Sequence, residues 1–112
     1  MVKVIKQFEV WIVSFDPSVG SEITKSRPAL VVSNDALNDL YDTIIVAPLT
    51  SSVRDYPSRY STNFEDNGGQ IAFDQIKCMD KSRFKKKIGV ISIGEREDIL
   101  DMLSLIFTPT SK

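Results

Sequence analysis

Two short segments of this 112-residue chain carry side chains suited to work on a phosphate. The first, residues 16–28, holds Glu22, Lys25 and Arg27. Arg27 stands directly before Pro28, which biases its backbone toward an extended form. Its guanidinium offers N–H donors in a rigid fork that matches a phosphate. Glu22 could accept a proton, and Lys25 could hold a second phosphate. The second segment, Ala47-Pro48-Leu49-Thr50-Ser51-Ser52, closes an apolar run. There Thr50 could orient a phosphate or a reacting hydroxyl. Taken alone, these residues leave plainer readings open. One is a Gly-containing hairpin with ordinary surface charges; the other is a strand-ending turn, where Ser and Thr are favoured anyway.

The rest of the inventory narrows the chemistry. The chain has no histidine and a single cysteine, Cys78. Ser-His-Asp triads, two-histidine ribonuclease chemistry and the common zinc sites are therefore absent. No P-loop and no G-x-G-x-x-G stretch occurs. Any enzyme built here works with Arg, Lys, Glu, Asp, Thr, Ser or Tyr, and no metal or cofactor is expected.

Something must position those side chains, and the pattern is mostly β. Residues 8–15 (FEVWIVSF) are aromatic and β-branched and stop at Asp16-Pro17, a turn signal. Residues 28–33 and 43–47 are short apolar runs, read as strands buried on both faces. Residues 35–41 between them suit one helical turn. Residues 51–69 are polar, contain Pro57, Gly68 and Gly69, and read as a long loop with a short strand near residues 61–64. Residues 70–73, 75–79 and 88–92 are three further strand candidates. Ser92-Ile93-Gly94-Glu95 fits a capping box. Ile99, Leu103 and Ile106 follow at helical spacing with Leu100 and Phe107 beside them, until Pro109 ends the helix. One domain over residues 1–112 follows: a strongly bent antiparallel sheet or barrel, mainly β, with a C-terminal α-helix packed on it.

Composition places the chain among soluble globular proteins, with 42% hydrophobic and 26% charged residues. The formal net charge is only −1, but its distribution is uneven. Residues 77–87 carry a local +5 and residues 95–101 a local −3. That asymmetry suits either a basic nucleic-acid face or a solvated loop beside an amphipathic helix. The lone cysteine fits a reducing compartment and, in a strand, reads as buried. No apolar run approaches the roughly 20 residues needed to span a bilayer. Residues 1–6 have no signal-peptide pattern. A cytoplasmic location is expected.

Phe15-Asp16-Pro17, Val19-Gly20-Ser21-Glu22, residues 25–35 (KSRPALVVSND), Val46-Ala47-Pro48-Leu49-Thr50-Ser51 and Asp80-Lys81-Ser82-Arg83 with Ile88-Gly89 occur in that order. Together, over roughly residues 8–107, they resemble the MazF/PemK family of bacterial toxins, which includes Kid. The resemblance implies an SH3-like barrel with added helices, working as a homodimer. It implies a metal-independent endoribonuclease that cuts single-stranded RNA (mRNA) at short sequences. The RNA's own 2′-hydroxyl would attack, leaving a 2′,3′-cyclic phosphate and a 5′-hydroxyl. The family's active-site arginine falls on Arg27, its threonine on Thr50, and the glutamate of its Gly-Ser-Glu loop on Glu22, as base or loop organiser. RNA-binding residues would be Ser21, Lys25, Ser51, Lys77, Lys81 and Arg83. Phe84, Tyr56 and Tyr60 are candidates to stack bases. A cognate antitoxin, acidic and partly disordered, would restrain the enzyme.

The chain also departs from the pattern. Phe8-Glu9 replaces a Gly-Asp pair before the first strand. Lys77 and Cys78 stand where many relatives or Kid-like members have arginines, and the first strand lacks the histidine of some members. Two other functions compete. A gyrase poison of the CcdB kind acts through its C-terminal helix, and this helix is expected to lack an exposed aromatic end. A binding module that kept RNA or antitoxin affinity without catalysis would not need both Arg27 and Thr50.

Overall fold

The computed structural model describes residues 3–16, 20, 25–64 and 69–110. Among the described residues, seven strands form one bent antiparallel sheet. They are β1 (Glu9–Ser14), β2 (Ser26–Val31), β3 (Thr43–Thr50), β4 (Arg59–Ser61), β5 (Gln70–Ala72), β6 (Lys77–Asp80) and β7 (Phe84–Val90). A short helix α1 (Asp35–Leu40) joins β2 to β3, and α2 (Ile93–Ile106) follows β7. The strand order is β4-β5-β3-β2-β1-β7, with β6 pairing the first half of β3.

The apolar run of β2 is continuous because both faces of the sheet are covered there, whereas in residues 43–47 Ile45 faces outward at 38% exposure. Trp11, Val13, Ala29, Val31, Ile44, Val46 and Phe84 point into one core. Val10, Leu30, Ala47, Ile71 and Phe73 point into a second, which α2 closes with Ile99 and the half-buried Met102, Leu103 and Ile106. The alternation within β1 and β2 therefore sorts side chains between two cores rather than between core and water.

Phe8 occupies left-handed backbone at φ 71°, a conformation that suits glycine. Its neighbours explain why a bulky side chain stays there. The ring is 8% exposed, packs in the second core, and lies 5.0 Å from the Arg96 guanidinium of α2. Its amide donates to the Val31 carbonyl, and its carbonyl accepts from the Ile91 amide. Phe8 thus ties β2, the end of β7 and α2 to one residue.

Several expectations change. Residues 85–87 belong to strand β7, not to a loop, and they are all exposed. Register shifts against β1 at Val10/Trp11 and at Ile12/Val13 explain this. Bulges break strict alternation and let consecutive lysines face water. Phe84 is 1% exposed and meets Trp11 edge-on at 5.9 Å, so it is core and stacks no base. Cys78 is exposed, because it pairs Ile45 on the outer face of β6 and β3. α2 starts where the capping box places it, but the Ser92 hydroxyl donates to the Glu95 carboxylate and does not cap an amide. The helix does end on an exposed aromatic: Phe107 is 73% exposed, because it follows the last turn that packs on the sheet.

Glu9 is buried, yet every contact it makes favours the ionised form. Its carboxylate accepts from the Lys6 amide at 2.8 Å and the Trp11 indole at 3.0 Å, and pairs with the Lys87 ammonium at 2.8 Å. Burial pushes its pKa up, but these bonds outweigh burial and hold it below its ordinary value of 4.5. A depressed carboxyl pKa contributes stability above the unfolded value that is lost as pH falls through the folded one. Wild-type stability is expected to drop as pH falls below 4.5, and urea unfolding of Glu9→Gln should show a shallower acid dependence. At pH 7 that variant should be less stable by about 1–3 kcal/mol. Asp74, also depressed, keeps part of the acid sensitivity in both proteins.

Candidate active site

The register of β2 on β3 builds this site. Ala29 faces Pro48, Leu30 faces Ala47 and Val31 faces Val46. Carried two residues further, that register sets Arg27 opposite Thr50. Both side chains line one cleft of about 200 Å³, with Pro28, Leu49, Ser51, Thr62, Phe64 and Gly69. On its other edge Arg27 pairs Val13 of β1, and Pro28 after it restricts its backbone to extended conformations. The guanidinium therefore projects from a strand position held by β1, just past the end of the ladder with β3.

The base of the preceding loop is also fixed. The Lys25 amide donates to the Asp16 carboxylate at 2.8 Å, and the Phe15 amide donates to the Lys25 carbonyl at 2.9 Å. Lys25 sits at φ 65°, a left-handed conformation that turns the chain into β2. Arg83 donates to the carbonyls of Ser14 and Asp16.

Thr50 is 7% exposed at the end of β3. Its backbone pairs Gln70, and its hydroxyl oxygen accepts from the Ser52 amide at 3.1 Å. With the oxygen engaged as acceptor, the hydroxyl proton is what Thr50 can give to an anion. Gly69 passes so close that a Cβ there would lie 2.9 Å from the Thr50 carbonyl oxygen. The far wall is Thr62, whose hydroxyl donates to Glu95 at 3.0 Å and accepts from the Phe64 amide at 3.2 Å. Glu95 thereby anchors the cleft wall to α2. Among the described lining residues Arg27 is the ionisable one, so the cleft is positive, with hydroxyls beside it and an aromatic ring at its rim. That set suits a phosphodiester with an attached base.

The structure brings together Arg27, Thr50 and Ser51, with Lys25 exposed two residues before Arg27. Ser21 and Glu22 lie outside the described residues. Lys77 pairs Val46, about 13 Å along β3 from Thr50, and the Lys81 amide bonds Asp42 beyond the start of that strand. Arg83 Nη1 donates to the two carbonyls above. Lys85 and Lys86 lie closer than Lys77: Phe84, Val13 and Arg27 are neighbours across β7, β1 and β2, about 10 Å in all. Tyr60 packs against the second core. Burial, then the charges of Glu95 and Asp98, raise its hydroxyl pKa. Sequence reasoning missed Thr62, Phe64 and Gly69. Only the Gly68-Gly69 pair carried a signal, that of a close backbone approach.

Three comparisons bear on this arrangement. A family model described as PemK-like, MazF-like toxin of type II toxin-antitoxin system matches residues 6–107. Endoribonuclease MazF9 of Mycobacterium tuberculosis is 32% identical over 111 residues, covering 90% of this chain and 94% of that protein. Among solved structures, MazF from Deinococcus radiodurans superposes with a TM-score of 0.81 at 24% identity, covering 96% of this chain and 100% of that one. An endoribonuclease in complex with its cognate antitoxin, from a mycobacterial species, gives 0.78 at 19% identity over 96% of this chain and 99% of that one. At these identities the two structures speak for a shared barrel-type fold.

Gly69→Ala tests how tightly the cleft is built. The added methyl meets backbone, not a movable side chain, so β5 must shift away from Thr50. A loss of about 1–3 kcal/mol is expected in thermal or urea unfolding.

Proposed function

Because the chain belongs to the PemK-like, MazF-like family of type II toxins, we propose that it is an endoribonuclease toxin cutting single-stranded RNA at Arg27 and Thr50. The observation that carries this reading is the β2–β3 register, which sets a guanidinium across from a threonine hydroxyl in one cleft. The substrate supplies its own nucleophile, the 2′-hydroxyl next to the scissile phosphate. Attack forms a P–O bond to the 2′-oxygen and breaks the P–O bond to the 5′-oxygen, which takes a proton from water, leaving a 2′,3′-cyclic phosphate and a 5′-hydroxyl. Negative charge grows on the non-bridging oxygens, where the fork of Arg27 stabilises it. Arg27 stays protonated throughout, so its contribution is electrostatic. The Thr50 hydroxyl donates a hydrogen bond to one of those oxygens. Glu22, five positions before Arg27 in the sequence, is the carboxylate assigned to take the 2′-hydroxyl proton. No metal is required by this scheme.

Exposed Lys85 and Lys86 of the bulged β7 strand are suited to hold the RNA backbone beside the cleft, with Lys25 and Ser51 nearer the cut. The partner is a cognate antitoxin, acidic enough to cover the same basic surface. An apolar surface of Leu37, Ile45, Leu103 and Phe107, part of one concavity, suits a second copy of the chain. Among the described residues no helix is long and apolar enough to cross a membrane. We place the protein in the cytoplasm, where mRNA is found. The exposed Phe107 also suits a gyrase poison, and inhibition of purified gyrase would favour that function.

The deciding experiment incubates purified protein with a long single-stranded RNA in EDTA and maps the new ends. Cleavage at a recurring short sequence is expected. Arg27→Ala should slow it by about 100- to 1,000-fold, the size of losing one preorganised donor, and Thr50→Val should impair it in the same direction. No cleavage by folded wild-type protein across several RNAs would overturn the enzyme reading. In RNA binding, Lys85→Ala with Lys86→Ala should lower affinity evenly across sequences. The slope of log affinity against log salt should fall by about 0.7 for each phosphate no longer neutralised by a lysine.

A further inference from the structure

Thr50 lines a second cleft on the flank away from Arg27. This one, about 250 Å³, is bounded by Ser52, Arg54, Tyr56, Arg59, Asp74 and Gln75. Its floor is an ion pair. The Arg59 side chain is only 5% exposed, with Nε 2.6 Å and Nη2 3.3 Å from the two Asp74 carboxylate oxygens. Nη1 donates to the Ser52 carbonyl at 3.1 Å. With its donors engaged inside the protein, Arg59 is poorly placed to hold a phosphate. What it does instead is support Tyr56, whose ring lies 5.2 Å from the guanidinium carbon. A backbone bond from the Arg59 amide to the Tyr56 carbonyl closes the same turn at 3.1 Å. Tyr56 remains 49% exposed. An aromatic ring is thus fixed from one side by a buried cation while half its surface stays in water.

Two further groups complete the cleft. Gln75 carries an amide donor and acceptor, the pair needed to read the edge of a base. Arg54 stands at the rim, and its backbone is pinned on both polar atoms by the Gln70 side chain, at 3.0 and 3.2 Å. Thr50 is the residue common to both clefts, so an RNA strand with its phosphate at Arg27 and Thr50 can place one adjoining base here. We infer that Tyr56 is the stacking platform for a base next to the scissile phosphate, read on its edge by Gln75, with Arg59 and Asp74 as the positioning residues that hold the platform. The inference rests on the ribonuclease reading and names the residues that set its sequence preference.

The test uses binding as well as cutting, so the two ideas can fail separately. A series of 2′-deoxy oligonucleotides, which cannot be cleaved, carries 2-aminopurine stepped through successive positions. Wild-type protein is expected to quench the fluorescence at one position. Tyr56→Phe should keep the quench, Tyr56→Ala should lose it, and the affinity of Tyr56→Ala should fall about 5- to 100-fold. Arg59→Lys, which loses the fork that holds the ring, should weaken the quench although Tyr56 itself is unchanged. On a long RNA, Tyr56→Ala should raise KM with little change in kcat and relax base preference at a single position beside the cut. Quenching that depends on Tyr56 in a protein that cuts no RNA would support the subsite and sink the ribonuclease reading. Cleavage by folded Tyr56→Ala with the same end profile, KM and quench as wild type would overturn the subsite and leave the ribonuclease standing.

Discussion

The alignment of β2 on β3 is the constraint on which the rest of the molecule depends. Side chains in a strand alternate, so a slip of one residue would exchange the contents of the two cores. Ala29 and Val31 would leave the first, and Leu30 would leave the second. Because both faces are buried, neither exchange can be tolerated, and the alignment is fixed by packing alone. The separation of Arg27 from Thr50 follows from that packing. A proline inside β2 does no harm to it, since the ladder with β3 is already ending where Pro28 sits. The site is thus a by-product of a well-defined core, with polar groups mounted where two strands leave it.

Much of this was legible in the sequence for a physical reason. Local signals report local structure. The apolar runs gave the strands, the 3.6-residue period gave α2, and an arginine before a proline and a threonine after an apolar run marked the two strand ends that form the site. What was hidden depends on contacts between distant residues. Nothing near Phe84 says that it meets Trp11, and nothing near Lys85 says that β7 bulges there against β1. Thr62 stands in a polar stretch without pattern, and only the partner Glu95, thirty-three positions away, gives it a place in the cleft wall. Cys78 misled because an edge strand pairing one neighbour has an outer face, and a sequence does not say which strands lie at an edge. Phe107 misled because one position past the helix it no longer lies on the packed stripe.

Charge shows the same division between what a run of residues carries and what it can offer. The basic stretch is continuous in sequence but not in use. Arg83 holds carbonyls, Lys87 neutralises the buried Glu9, and Lys77 lies along the middle of β3. Lys85 and Lys86 remain exposed on β7, one strand beyond the β1 neighbour of Arg27. A count of +5 over residues 77–87 therefore overstates the field at the cleft, while the bulges that turn two adjacent lysines outward concentrate what remains.

The clamp that Arg83 places on Ser14 and Asp16 has a consequence for synthesis. Its partners are separated from it by 69 and 67 positions, and β1 pairs β7 over a similar span. Such long-range pairings make folding slow, because a large loop must close before any contact rewards it. A chain emerging from the ribosome carries Arg27 and Thr50 early, but Arg83, which binds the Ser14 and Asp16 carbonyls, arrives late. The nascent chain holds its chemical groups for most of its synthesis without the frame that aligns them. Competence is therefore gained late and all at once, when β7 closes against β1 and α2 covers the second core.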